Sequence, residues 1–158
     1  MEIVQGEVIK LVLAVILGGL IGLEREYRRK PAGLKTYSLV ALGATLFTLI
    51  GASLFSQYQG VEGVSYDPSR IIASIVAGIG FIGGGLIIRR QFTVEGLTTA
   101  AGLWIAAALG VAIGVGLYFL SMVATILSLF ILHFLRSIED SFLRKKHSID
   151  KKDEKQYH

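Results

Sequence analysis

Hydrophobic residues in this chain come in long unbroken runs rather than in the one-sided stripes of a soluble helix. Run length and flanking charge predict five membrane spans, at about 4–23, 36–56, 69–88, 97–113 and 117–135. Each is near the ~20 apolar residues that cross a bilayer core as a helix. The last two belong to one apolar stretch, 97–135. As a single helix at about 1.5 Å per residue it would be nearly twice the ~30 Å hydrocarbon thickness. It must turn back, and Gly114-Val115-Gly116 is the flexible place to do so. The expected fold is an all-α bundle of five transmembrane helices.

Charge sets the expected orientation, because short cytoplasmic loops concentrate Lys and Arg. The first connection holds Arg25, Arg28, Arg29, Lys30 and Lys35; the second, which carries Glu62 and Asp67, has Arg70 alone. Arg89 and Arg90 mark the third, the turn at 114–116 has no basic residue, and the tail after Leu135 has seven. Basic and non-basic connections alternate as five spans require, with the N-terminus outside and the C-terminus cytoplasmic. The N-terminus begins with Met1-Glu2 and carries Glu7 before Lys10, with no basic n-region and no small-residue cleavage site after the first run, so that run is read as a permanent span. The expected division is a membrane domain at 1–136 and a charged cytoplasmic tail at 137–158.

Composition agrees: 53% of the 158 residues are hydrophobic and 18% charged, too apolar for one soluble core. There is no cysteine, which excludes disulfides, thiolate metal ligands and a Cys nucleophile. The formal charge of +4 is read as attraction to anionic inner-leaflet lipid, with no nucleic acid as a partner.

In lipid, helices associate through close backbone packing at small residues and through hydroxyl hydrogen bonds. Every span carries such a stripe at helical spacing: Ala14, Gly18, Gly22; Ala41, Thr45, Thr48, Ala52; Ala73, Ala77, Gly80, Gly84; Thr99, Gly102, Ala106, Gly110; and Ser121, Thr125, Ser128. A tightly packed bundle is expected, with a leftover stripe available to a second copy, hence a homodimer. In "GIGFIGGGLIIRR", Gly78, Gly83 and Gly85 lie off the third stripe. The expected arrangement is an intact, glycine-thinned contact helix; a local unwinding at 83–85 is what a transport path would require instead.

Candidate chemistry is sparse. Span interiors hold essentially no ionisable residue, and Lys10 is expected to snorkel to water from the outer end of span one. Asp67-Pro68-Ser69 reads as a helix start, with Asp67 as cap, Pro68 in the first turn and Arg70 following. On the opposite, cytoplasmic side lie Glu24 and Arg25, then Lys35 and Thr36, then Glu95, Gly96, Thr98 and Thr99. There the free N–H groups of two helix starts, with Lys35, Arg25, Arg89 and Arg90, suit an anion such as a lipid phosphate. The competing reading pairs Glu24 and Glu95 with those cations as a brace. Glu24 and Asp67 fall on opposite faces and cannot share a metal ion, and no carboxylate set forms an all-oxygen magnesium cage. His133, His147 and His158 have no nucleophile placed beside them, so no catalytic residues and no enzymatic activity are expected.

The segments "GGLIGLEREYRRKPAGLKT", "DPSRIIASIVAGIGFIGGGLI" and "GLTTAAGLWIAAALGVAIGVG" together resemble the membrane domain of the MgtC/SapB family of bacterial and archaeal proteins. Position by position, the resemblance marks Glu24, Arg25, the AGLKT run at 32–36, Asp67, Arg70, GIGF at 78–81, GLTTA at 96–100 and Trp104. It implies a multi-pass inner-membrane protein of a virulence-associated family, tied to low-magnesium adaptation. Ser74 stands where the family commonly has Gln, and the better-known members' soluble C-terminal domain is not expected here. The function expected is a non-enzymatic regulator or scaffold in magnesium homeostasis, acting on other membrane proteins. The alternatives are a magnesium transporter or channel, with carbonyls near 83–85 lining the path, and an anionic-lipid-binding scaffold. No resident cofactor is expected; Mg2+ and anionic lipid are the candidate ligands.

Overall fold

A computed structural model describes residues 2–60, 67–91 and 93–135. The described residues fold as five α-helices: α1 (Glu2–Tyr27), α2 (Leu34–Tyr58), α3 (Ser69–Leu86), α4 (Leu97–Gly114) and α5 (Tyr118–Phe130). The first four are long and apolar enough to cross a membrane, and α5 is shorter. It continues into a π turn, Ile131–Leu135. The expected tail at 137–158 lies outside the described residues.

The helix boundaries have local causes. At the end of α4, Leu117 N–H bonds the Ala112 carbonyl at 2.8 Å and Gly116 N–H the Ile113 carbonyl at 3.0 Å. Gly116 itself sits at φ +87°. This paired closure around a left-handed residue is the Schellman stop, and it turns the long apolar stretch where the glycines were expected to. The end of α1 has the same hydrogen bonds, Lys30 N–H to Arg25 O and Arg29 N–H to Glu26 O. Here the left-handed position is filled by Arg29, at φ +54°, at a steric cost that glycine would not carry. Pro68 is helical at φ −58°, and Asp67 Oδ1 accepts the Ser69 N–H at 2.9 Å, as a capped helix start requires. Hydrogen bonds from Ser69 hold the Asp67 carboxyl below the usual carboxylate range.

α4 meets every other helix and is the most buried of the bundle, and its principal partner is α2. α1 approaches α2 through Gly18, where an added Cβ would lie 2.7 Å from Ala41 Cβ, and through Gly22, where it would lie 2.8 Å from the Gly33 carbonyl oxygen. From the other side α4 approaches through Gly102, whose Cβ would strike the Tyr37 hydroxyl, and Gly110, whose Cβ would strike the Ala41 carbonyl. Tyr37 and Ala41 are fully buried. The Thr45 hydroxyl lies 2.9 Å from its own helix's Ala41 carbonyl and 2.8 Å from the Gly110 carbonyl of α4, a cross-helix bond at a point of backbone contact. Four glycines expected to pack the bundle, Gly18, Gly22, Gly102 and Gly110, therefore do so. Large apolar side chains such as Phe81, Phe119 and Ile126 point outward, the arrangement a lipid solvent permits.

The structure decides two alternatives that the sequence leaves open on α3 and corrects one expectation. α3 runs without a break to Leu86, so 83–85 is not unwound: Gly83 packs at 3.4 Å on Ala100 of α4 while its helix continues. The stripe of Ala73, Ala77, Gly80 and Gly84 faces away from the bundle, which α3 meets instead through Ile79 and Gly83. A Cβ added at Gly80 or Gly84 would have no atom of the described residues within 4 Å. The chain is also not wholly helical, because the third connection is a two-stranded antiparallel ribbon of β1 (Ile88–Arg90) and β2 (Thr93–Glu95), with Arg90 paired to Thr93.

Candidate functional site

The last turn of α1 brings the chain's charge into the bundle. Arg25 is 4% exposed, inward-facing because it continues the Gly18–Gly22 face that α2 and α4 cover. Its Nη2 reaches Thr99 Oγ1 in the first turn of α4 at 3.4 Å, and its Nη1 lies 3.8 Å from Glu24 Oε2. Arg28, one turn on, places Nε 3.2 Å from Glu24 Oε1. Its Nη2 donates to His133 Nδ1 at 3.0 Å across to the π turn. A guanidinium only donates, so in this contact His133 Nδ1 is the acceptor. Tyr37 closes the floor, donating its hydroxyl to the Thr99 carbonyl at 3.3 Å. Two cations thus share one carboxylate, at a place where α1, α2, α4 and the end of α5 converge.

Two atoms of this cluster are not spent on the fold. Glu24 Oε2 and Arg25 Nε are buried and meet no hydrogen-bond partner among the described residues. A buried polar atom left unmatched costs about 1–3 kcal/mol, so the cluster holds unspent hydrogen-bonding capacity together with an excess of positive charge. Among the described residues no group of three or more His, Cys, Asp or Glu is placed to hold a metal ion.

A family model described as the MgtC family matches residues 11–141. The chain belongs to the MgtC family. Among its relatives, "Putative magnesium transporter YhiD" of Escherichia coli K12 is 39% identical over 142 residues, 90% of this chain and 66% of that protein. "Protein MgtC" of Brucella abortus strain 2308 is 45% identical over 125 residues, 79% of this chain and 49% of that protein. An uncharacterized protein of Haemophilus influenzae is 40% identical over 122 residues, 76% of this chain and 51% of its own length. The chain thus spans about two thirds of the first relative and about half of the other two. No solved structure matches it.

Within this MgtC-family chain the expected cluster is only partly one site. Glu24, Arg25 and Thr99 meet. Lys35 is exposed and Thr36 half-buried on α2, outside the Arg25 pocket. Thr98 is exposed, and Glu95 belongs to the ribbon, 3.9 Å from Arg90 Nε. Both carboxylates therefore face cations, as the brace reading required, but in two separate places. Gly96 has a geometric role: it precedes α4 at φ +91°, and a Cβ there would run into the Leu86 carbonyl. Asp67 and Arg70 lie at the other end of α3, remote from the cluster.

Five placements were not expected, the first being His133 against Arg28. Tyr37 lies inside an apolar run with no pattern to mark it, whereas Arg28 stands four residues after Glu24, a spacing that signals a helical ion pair. Glu26 Oε2 accepts the Leu34 N–H at 2.8 Å, so a carboxylate of the chain already occupies the α2 start that had been proposed for an anion. Lys10, expected to reach water, donates to the Gly114 carbonyl at 3.0 Å. Its charge meets the negative end of the α4 dipole instead.

Proposed function

We propose that this chain is a membrane module acting by helix–helix contact, as a regulator or scaffold in magnesium homeostasis. The magnesium connection is taken from the name of one relative, "Putative magnesium transporter YhiD". The observation that carries the reading is the outward small-residue face of α3, where Ala77, Gly80 and Gly84 are exposed and Gly80 and Gly84 would meet no atom of the described residues if given a Cβ. In lipid such a face is what another helix can approach to backbone distance. Backbone contact between α1, α2 and α4 supports the same reading, since it leaves those helices little room for a conducting path. In the orientation set by the basic loops, the Glu24/Arg25 cluster is cytoplasmic, all five helices cross the inner membrane, and α3 offers its face to a second copy or to another integral membrane protein.

Reconstitution tests this directly. Gly84→Leu should abolish cross-linking between copies, or co-purification of a partner, while the thermal unfolding of the solubilised chain stays unchanged. Saturable Mg2+ uptake by proteoliposomes that Glu24→Gln abolishes would refute the regulator reading in favour of transport.

A further inference from the structure

α2 and α3 both lean on α4 but scarcely touch each other, and the gap between them is a groove of about 980 Å³. Two opposed glycines keep it open. Gly43 on α2 and Gly78 on α3 both line it, and a Cβ at either would meet nothing within 4 Å. Ala107 of α4 forms part of its floor. The walls are apolar along their length, since the Ser74 hydroxyl in the groove turns back to the Arg70 carbonyl at 2.9 Å. Along α2 the lining runs from Lys35 to Ile50, which at about 1.5 Å per residue is about 22 Å. That exceeds the ~15 Å hydrocarbon depth of a single leaflet.

Charge lies only at one end. Lys35 is exposed at the mouth, beside Thr36, and forms no ion pair among the described residues. The carboxylate at the start of the same helix, Glu26, is engaged with the Leu34 N–H. We infer that the α2–α3 groove is a binding site for one anionic phospholipid, an acyl chain lying between Gly43 and Gly78 and the headgroup phosphate on Lys35. The site stands apart from the helix-contact reading, because it lies on the α2-facing side of α3 and depends on neither Gly80 nor Gly84.

Native mass spectrometry of the detergent-solubilised chain, with added phosphatidylglycerol or phosphatidylcholine of matched acyl chains, tests it. The wild-type chain should retain one phosphatidylglycerol with about five-fold preference, the factor that one lysine's attraction to an anionic surface supplies. Lys35→Ala should remove the preference and leave phosphatidylcholine retention unchanged. Gly78→Leu, and independently Gly43→Leu, should lower retention of both lipids, and the open space at each position keeps the fold intact. Equal lipid retention by wild type and both leucine variants would overturn the proposal. So would a preference that survives Lys35→Ala, or a second copy of the chain found in the groove by cross-links from α2 to a partner. Loss of dimerisation in Gly84→Leu with lipid binding unchanged would separate this site from the contact face.

Discussion

Gly102→Ala is the sharpest perturbation of the packing, because the new methyl would meet a side-chain atom that can itself be removed. Its Cβ would strike the Tyr37 hydroxyl and lie 3.1 Å from Tyr37 Cζ. Tyr37 is fully buried and cannot swing away. Overpacking of this kind costs about 1–3 kcal/mol, and the better helix propensity of Ala returns about 1 kcal/mol. A net loss of about 0–2 kcal/mol is expected. Tyr37→Phe forfeits the 3.3 Å bond to the Thr99 carbonyl, about 0.6 kcal/mol by the average for membrane hydrogen bonds. It also leaves only the milder ring contact. In the Tyr37→Phe background Gly102→Ala should therefore become neutral or stabilising, a coupling of at least about 1 kcal/mol. Equilibrium unfolding of the four variants in mixed micelles measures it. Additivity within about 0.5 kcal/mol would refute the close-contact account of α2 and α4.

The other predictions concern polar groups. Arg25→Met should destabilise by about 3 kcal/mol, the lower end for breaking a buried pair since Arg28 still faces Glu24; adding Glu24→Gln should recover most of it in the same unfolding assay. Arg29→Gly should stabilise by about 1 kcal/mol by relieving the left-handed backbone at φ +54°, read as a rise in melting temperature. Lys10→Met should cost about 1 kcal/mol by uncapping the Gly114 carbonyl, with Lys10→Arg largely preserving stability. Because the Asp67 carboxyl is held below its unfolded value, its contribution is complete above the ordinary carboxylate range. It is lost as pH falls through the lower folded value. Thermal scans from pH 6 downward should show that loss in the wild type, and Asp67→Asn should flatten it.

What could be read from the chain is what neighbours in sequence decide. Asp67-Pro68-Ser69 and Gly114-Val115-Gly116 act through residues two to five apart, so the cap and the turn were both legible. The pairing of Glu24 with Arg28 has the same local character. Stripes at helical spacing identified Gly18, Gly22, Gly102 and Gly110, but spacing says which residues share a face, not what that face meets. On α3 the same pattern therefore left the partner open: Ala77, Gly80 and Gly84 look outward, Gly83 packs on Ala100, and Gly78 lines a groove. Lys10 on Gly114, Glu26 on Leu34 and Tyr37 under Thr99 depend on chain reversals that no local signal encodes. The ribbon at 88–95 was missed because its strands are three residues long and its turn, at Gln91, lacks the Asn-Gly or Asp-Gly signature.

The Thr45 hydroxyl also bears on the order in which the bundle is made. Its cross-helix acceptor, Gly110, lies 65 residues later, which at about 5–20 residues per second takes about 3–13 s to synthesise. For that interval α2 has no α4 to pack on, and the face that will receive Gly102 and Gly110 is uncovered. The Ala41 carbonyl, one turn back on the same helix, gives the hydroxyl an acceptor until α4 arrives. The Thr45 hydroxyl is thus satisfied within α2 alone, and α4 can be added later without any buried donor having waited unpaired.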